Sequence, residues 1–317
     1  MKKPFNHRSM MFTTLLSLAF LYSCETESQA EELELTTEET LFEVSDSGES
    51  AYNSDTNKAP WQGIFWDTFN SFDAGKWEVT ERADYNSRIC EYMADQVDTG
   101  TWEGTSFLRL TAQKLNDTQW KSGHVKSKRK FKPGKNEEIR IRAKIKFDAF
   151  DPGYEWKPYS STYGCWPAFW TVNETAWPTK GEIDIMEGYT FGTSRNDRYA
   201  SNLFYGTSEG TNILDGSQTT SYYNSSVNGE GGWTTYEMRW SNKNGWNKIE
   251  IYVNGTKKKT YSNHNIDNLR LDNFSSHNII LNLNVGSNDG IFDNSKIDVF
   301  ERTTMLVDWV SVHKRSI

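Results

Sequence analysis

The chain has 317 residues, 14 % of them aromatic and 25 % charged, with 13 Trp, only 3 Cys and a formal net charge of −8 at pH 7. That charge is uneven: the first 24 residues carry +3 and residues 25–58 carry −10, which leaves −1 for the remaining 259. A nearly neutral folded part has no electrostatic footprint for nucleic acid, and so few cysteines exclude a disulfide framework, although Cys90 and Cys165 leave room for a single bridge.

Lys2, Lys3 and Arg8 precede an apolar run from Met10 to Tyr22 that is too short to span a bilayer comfortably, and Leu21-Tyr22-Ser23-Cys24 has the form of a lipoprotein cleavage box. Residues 1–23 therefore read as a lipoprotein signal peptide, with Cys24 as the acylated residue that enters the lipid bilayer; a plain secreted protein cleaved nearby is the alternative. Residues 24–58 hold eleven Asp or Glu, one Lys and few large apolar side chains. Such a composition cannot offset the entropy of ordering, so the segment reads as an acidic flexible tether. The expected location is the bacterial cell envelope, anchored in the outer membrane. The acidic start Glu25-Thr26-Glu27 suits outward display, with periplasmic retention as the competing outcome.

Residues 59–317 show no second linker and no repeat, and are expected to form one domain that acts as a monomer; all-β sandwiches reach this size undivided. Short alternating segments follow one another: Phe107 to Ala112, then EIRIRAKIK (138–146), Tyr236 to Trp240, Lys248 to Val253 before an Asn254-Gly255 turn, Asn278 to Val285, and Met305 to His313. In 138–146 the residues Ile139, Ile141, Ala143 and Ile145 share one face and Arg140, Arg142, Lys144 and Lys146 the other, the pattern of a half-buried strand. No segment keeps a helical period. The fold class is therefore all-β, a sandwich with one sheet curving around a groove.

Between these strands, GCWPAFW (164–170) places Trp166, Ala168 and Trp170 on one face if extended. Indoles offer flat surfaces for the C–H faces of sugars as readily as they fill a core. A dozen residues later comes GEIDIMEG (181–188), with three carboxylates. A regular strand would turn Glu182 and Asp184 one way and Glu187 the other. One extra residue, a β-bulge at Ile185-Met186, restores the phase and leaves Ile183 and one bulge residue facing the core. Four effective steps then separate the two Glu backbones by roughly 13 Å, and two inclined side chains close that to the ~5–5.5 Å at which paired carboxyls act as acid and nucleophile in glycoside hydrolysis. Crowding divides the labour, because a neighbouring negative charge keeps one carboxyl protonated while another ionises. An exposed acidic strand or a calcium loop is the plainer reading, but calcium loops space their ligands through Gly and Asn turns.

Other patterns are weaker. Gly206-Thr207-Ser208-Glu209-Gly210 matches G-x-S-x-G, but no helical run follows to build a nucleophile elbow. The five His show no metal-ligand spacing.

With GCWPAFWTVNETAWPTK (164–180) and GEIDIMEG in hand, the chain resembles glycoside hydrolase family 16, in particular the bulged branch of laminarinase-like β-glucanases and red-algal galactan hydrolases. Supporting segments are FWDTFNSFDAGKW (65–77), SGHVKSKRKF (122–131), WTTYEMRW (233–240) and MLVDWVSVHK (305–314). The resemblance implies a concanavalin-like β-jelly roll with a concave substrate cleft and endo-acting hydrolysis with retention. On this sequence it makes Glu182 the nucleophile, Glu187 the general acid and then base, and Asp184 the residue that assists the nucleophile. It places Trp166, Trp170 and Trp177 along the sugar subsites and Asn86 on the donor side. Asp308 matches a position that in some members binds a structural calcium ion; no cofactor is implied for catalysis. Departures are Phe204 where a His is frequent, Trp233-Thr234-Thr235-Tyr236 where Phe-His-x-Tyr is frequent, and Arg88 where an acid is common. The implied partner is a polysaccharide, with β-1,3- or mixed-linkage β-glucan favoured. Endo-hydrolysis of β-galactans of the agar, porphyran, carrageenan or poly-lactosamine type is the second reading, and a non-catalytic carbohydrate-binding lipoprotein the third.

Overall fold

The segment with the clearest alternation lies inside a long strand, Glu137–Phe150, whose isoleucines enter the core and whose cations leave it. The computed structural model describes residues 58–82, 89–150, 156–157, 162–191, 198–224, 232–287, 290–297 and 300–317. The expected signal peptide, Cys24, the tether up to residue 57, Asn86 and Arg88 lie outside the described residues. Among those residues the chain forms two large sheets and a single α-helical turn, Gly216–Thr219.

The larger sheet runs Thr256–Ser262, Trp246–Val253, Thr234–Lys243, Glu137–Phe150, Arg302–Ser316, Thr105–Asn116, Gln119–Ser122, Cys90–Tyr92, with Gln62–Asp67 and Val97–Trp102 added along it. Every alternating segment of the sequence is a strand here or in the other sheet. Asn254 and Gly255, both at positive φ (47° and 75°), make the two-residue turn between the 246–253 and 256–262 strands.

The second sheet carries the acids and is called the site sheet. From edge to edge it runs Ser221–Asn224, Arg198–Phe204, Glu182–Tyr189, Cys165–Val172, His277–Val285, His124–Phe131 and Trp77–Val79. Glu182–Tyr189, the acid strand, is an interior strand, flanked by Cys165–Val172 on one side and Arg198–Phe204 on the other. One hydrophobic cluster joins the two layers: Phe169, Ile183, Ile185, Met186 and Leu203 of the site sheet share it with Ile139, Ile141, Ile145, Met238 and Trp240 of the larger one. Each such side chain contributes about 1.5–3 kcal/mol by leaving water.

Two sequence expectations change. Arg140, Arg142 and Lys146 point away from the core but are not solvated; they are buried beneath indoles. Trp61 lies 4.6 Å from the Arg140 guanidinium, Trp309 5.3 Å from that of Arg142, and Trp233 and Trp102 lie 5.5 and 4.6 Å from the ammonium groups of Lys144 and Lys146. A ring face attracts a cation electrostatically, so several of the Trp belong to this covering rather than to a sugar groove. Second, Thr234 to Tyr236 belong to the larger sheet and Trp233 stands immediately before that strand, with Tyr236 fully buried, so that departure from the family pattern leaves the polar groups around the acids untouched. Cys90 and Cys165 are both buried thiols, and burial pushes the Cys90 thiol up to about 12.

Candidate active site

The expected bulge is present where parity requires it. Against Cys165–Val172, Glu182 pairs with Val172, Asp184 with Trp170 and Glu187 with Ala168; against Arg198–Phe204 the same three pair with Phe204, Asn202 and Ala200. Six residues of the acid strand therefore lie opposite five on either neighbour, and the register shifts between Asp184 and Glu187 on both sides. Glu182, Asp184 and Glu187 share one face with Trp166, Ala168 and Trp170. Ile183, Ile185 and Met186 all enter the core, so both bulge residues are anchored rather than the one expected. Gly181, at φ 81°, lets the chain turn into this strand, and a Cβ there would meet the Phe274 ring at 2.3 Å.

Each expected tryptophan has its indole N–H engaged. Trp177 donates to Glu182 Oε2 at 2.8 Å and Trp166 to Glu187 Oε1 at 2.8 Å, while Trp170 donates to Asn282 Oδ1 at 2.7 Å. All three keep part of their rings exposed, as stacking on a sugar requires. Asn282 is itself held by donating to Tyr92 OH at 3.0 Å. The segment with the G-x-S-x-G pattern is a bridged turn rather than an elbow; its Gly210 N–H donates to the Trp177 carbonyl at 2.7 Å and so fixes the loop that carries that indole.

Glu182 is the most open of the three acids; Asp184 and Glu187 are buried. All three carboxyls are pushed above their ordinary range. For Glu182 the causes are loss of hydration and then the charge of Glu187, partly offset by the Trp177 hydrogen bond, and they bring it to about 8. For Asp184, burial and the charges of Glu187 and Glu182 act together; it lies within hydrogen-bonding reach of Glu187, and its Oδ2 has no partner among the described residues. This contact ties Asp184 to Glu187, whereas the resemblance has it assisting Glu182. For Glu187, burial raises the value and donors from Asn202, Trp166 and Tyr189 hold it down. Protons are thus shared among three groups that cannot all ionise, which is the electrostatic condition for an acid beside an anion.

The sequence reading missed Tyr189 and Asn202. Tyr189 OH donates to Glu187 Oε2 at 3.0 Å, and Asn202 Nδ2 donates both to that oxygen and to Tyr189 OH, the latter at 3.3 Å. Phe204 stands across from Glu182 with its ring 6.1 Å from Trp177, so this departure from the family pattern does fall at the site. Farther along the same face, Lys126, Lys128 and Lys130 with Glu78, Glu174 and Asn278 border a depression of about 410 Å³. Asp308 receives an ion pair from Lys144 at 2.7 Å, and no group of three or more His, Cys, Asp or Glu able to hold a metal occurs among the described residues.

Residues 103–227 match the family model described as XgeA-like, catalytic GH16 domain. The fold is similar to that of an endo-1,3-β-glucanase from Streptomyces sioyaensis (TM-score 0.65, 22 % identity, 82 % of this chain and 99 % of that one). It is also similar to a Bacteroides ovatus mixed-linkage glucan GH16 protein in complex with a G4G4G3G product (TM-score 0.59, 27 % identity, 78 % and 99 %). A 34-residue stretch is 62 % identical to "Probable glycosidase C21B10.07" of Schizosaccharomyces pombe, covering 10 % of this chain and 8 % of that protein. A two-sheet jelly roll, an acid strand bulged between its second and third carboxylates, and these likenesses agree: residues 103–227 are similar to the catalytic domain of glycoside hydrolase family 16, and the chain is an endo-acting glycosidase.

Proposed function

We propose that the chain is a retaining endo-β-glycanase that cuts internal linkages of a β-1,3- or mixed-linkage β-glucan. The bulged register carries this reading, because it sets Glu182 and Glu187 four strand steps apart on one face, a separation suited to a double-displacement reaction. Glu182 as carboxylate attacks the anomeric carbon while Glu187 gives its proton to the departing glycosidic oxygen. The glycosyl ester so formed is hydrolysed by a water that Glu187 deprotonates. Trp166, Trp170 and Trp177 offer stacking surfaces along the chain of sugars. The glucan preference draws on the two bacterial proteins named above, one an endo-1,3-β-glucanase and the other bound to a mixed-linkage product.

One observation favours a second reading. The lysines around the 410 Å³ depression suit a polymer with anionic substituents, such as the sulfated members of the β-galactans. Product analysis on laminarin, mixed-linkage glucan, agar-type galactan, carrageenan and mucin glycans separates the two, and proton NMR of the first product gives the anomer. Glu182→Gln and Glu187→Gln are each expected to abolish polysaccharide hydrolysis while keeping oligosaccharide binding. Cleavage of galactans alone overturns the glucan reading, and an inverted first product overturns retention.

The proposed setting is the cell envelope, with Cys24 acylated and residues 24–58 as the tether. Radiolabelled palmitate should enter the native chain and not Cys24→Ala; equal labelling, or none in either, refutes the anchor.

A further inference from the structure

Glu187 has to serve twice in the proposed mechanism, first as a proton donor and then as a base, although it is a buried carboxyl beside two others. Burial alone favours the neutral acid, which would make it a poor base. The surroundings of its Oε2 answer this. Tyr189, two residues farther along the same strand face, donates to Oε2 at 3.0 Å. Asn202, which the register sets opposite Asp184 on the neighbouring strand, donates to the same oxygen. The amide nitrogen of Asn202 also reaches Tyr189 OH at 3.3 Å, so a lone pair of the hydroxyl is taken and its hydrogen is directed at Glu187. Both residues are buried, at 7 % and 6 % exposure, so these bonds do not compete with bulk water.

We infer that Tyr189 and Asn202 form a closed hydrogen-bonded triangle with Glu187 Oε2 and are positioning residues that fix the plane of this carboxyl and stabilise its ionised form. The inference rests on the catalytic role proposed for Glu187. The pair acts through Glu187 and touches no reacting atom itself. Other titratable groups that bear on the carboxyl are Glu182 and Asp184 on its own strand and Tyr261, which reaches in from the larger sheet and bonds Ser201 at 2.8 Å. Glu174 acts on Glu182 and Tyr222 on Tyr189, both at one remove. Tyr189 and Asn202 donate to Oε2, and a protonated Asp184 also lies within hydrogen-bonding reach of the Glu187 carboxyl.

The test is a set of pH–rate profiles for the full chain and for Glu187→Gln, Tyr189→Phe, Asn202→Ala and the double variant Tyr189→Phe/Asn202→Ala. Substrates are a polysaccharide that the chain cleaves and a dinitrophenyl glycoside that needs no acid to depart. The limb that vanishes in Glu187→Gln with the activated glycoside belongs to Glu187. In Tyr189→Phe and in Asn202→Ala that limb is expected to move upward by roughly half to one pH unit, since each removes one donor to the carboxylate. On polysaccharide, kcat falls several-fold with KM little changed. The double variant shifts less than the sum of the singles, because Asn202 also aims the hydroxyl. Thermal melts establish that each variant is folded, and Asn202→Ser, which keeps a donor, is expected to recover part of the shift. A Glu187 limb that stays in place in both folded single variants overturns the triangle and leaves the role of Glu187 intact. Undiminished polysaccharide cleavage by Glu187→Gln overturns the catalytic reading itself.

Discussion

Trp177→Phe isolates a single hydrogen bond on the proposed nucleophile. The indole N–H lies 2.8 Å from Glu182 Oε2, and among the described residues it is the contact that holds down a carboxyl already raised to about 8. Phenylalanine keeps a ring against Phe204 but cannot donate. A hydrogen bond to a charged group contributes about 1.5–3 kcal/mol, equivalent to about one to two pH units of added resistance to ionisation. The productive form, with Glu182 ionised and Glu187 protonated, therefore becomes about 10- to 100-fold rarer below pH 8. The deficit closes as pH rises, because Glu182 then ionises in both proteins. The assay is kcat/KM from pH 5 to about 10 on a cleaved oligosaccharide, with melting curves to show that both proteins are folded over that range. A deficit of constant size at every pH would place the loss in substrate stacking instead, and the absence of any deficit would remove the bond from the account of Glu182.

Gly181→Ala should be destabilising by about 2–5 kcal/mol, since it combines a positive φ with a Cβ driven into Phe274; chemical denaturation measures it, and a change below about 1 kcal/mol refutes the packing argument. His124 and His277 are buried and held neutral, at about 3 and about 4, mainly by loss of hydration. Their folded values lie below the unfolded one, so the stability they contribute is intact above about pH 6.5 and is lost as pH falls toward 4, by a few kcal/mol in order of magnitude. Glu182 runs the other way: raised to about 8, it makes stability decline as pH climbs from about 4.5 through 8. Melting temperature against pH should slope down on both sides, and Glu182→Gln should flatten the alkaline side; an unchanged alkaline slope refutes that origin. Exhaustive treatment with a calcium chelator is expected to leave activity and melting temperature unchanged, because Lys144 already neutralises Asp308; a fall that calcium reverses would contradict this.

How far the sequence spoke for itself follows from the range of each signal. The bulge was legible because period-two parity and the cost of an unpaired buried carboxylate are both local, and they left Glu187 only one acceptable face. Tyr189 was within reach of the same argument, being two residues beyond Glu187. Asn202 was not, since its place opposite Asp184 depends on the register of two strands, and nothing between residues 189 and 198 announces that register. The outward cations of 138–146 were misread for a similar reason: the indoles that cover them come from residues 61, 102, 233 and 309, and alternation within one strand carries no information about such distant partners. The departure at 233–236 looked like a change of cleft chemistry until the topology put Thr234 to Tyr236 in the other sheet.

The acid strand has hydrogen-bonded neighbours on both flanks, and its bulge is pinned by two side chains driven into the interior. Its amides should accordingly be among the slowest in the molecule to exchange with deuterium. The spacing of the carboxyls is thereby insulated from the surrounding loops, which, the turn that carries Trp177 apart, remain at liberty to lengthen, shorten or change composition. Such a division lets a lineage wander from one polymer to another while its bond-breaking apparatus stays as it was.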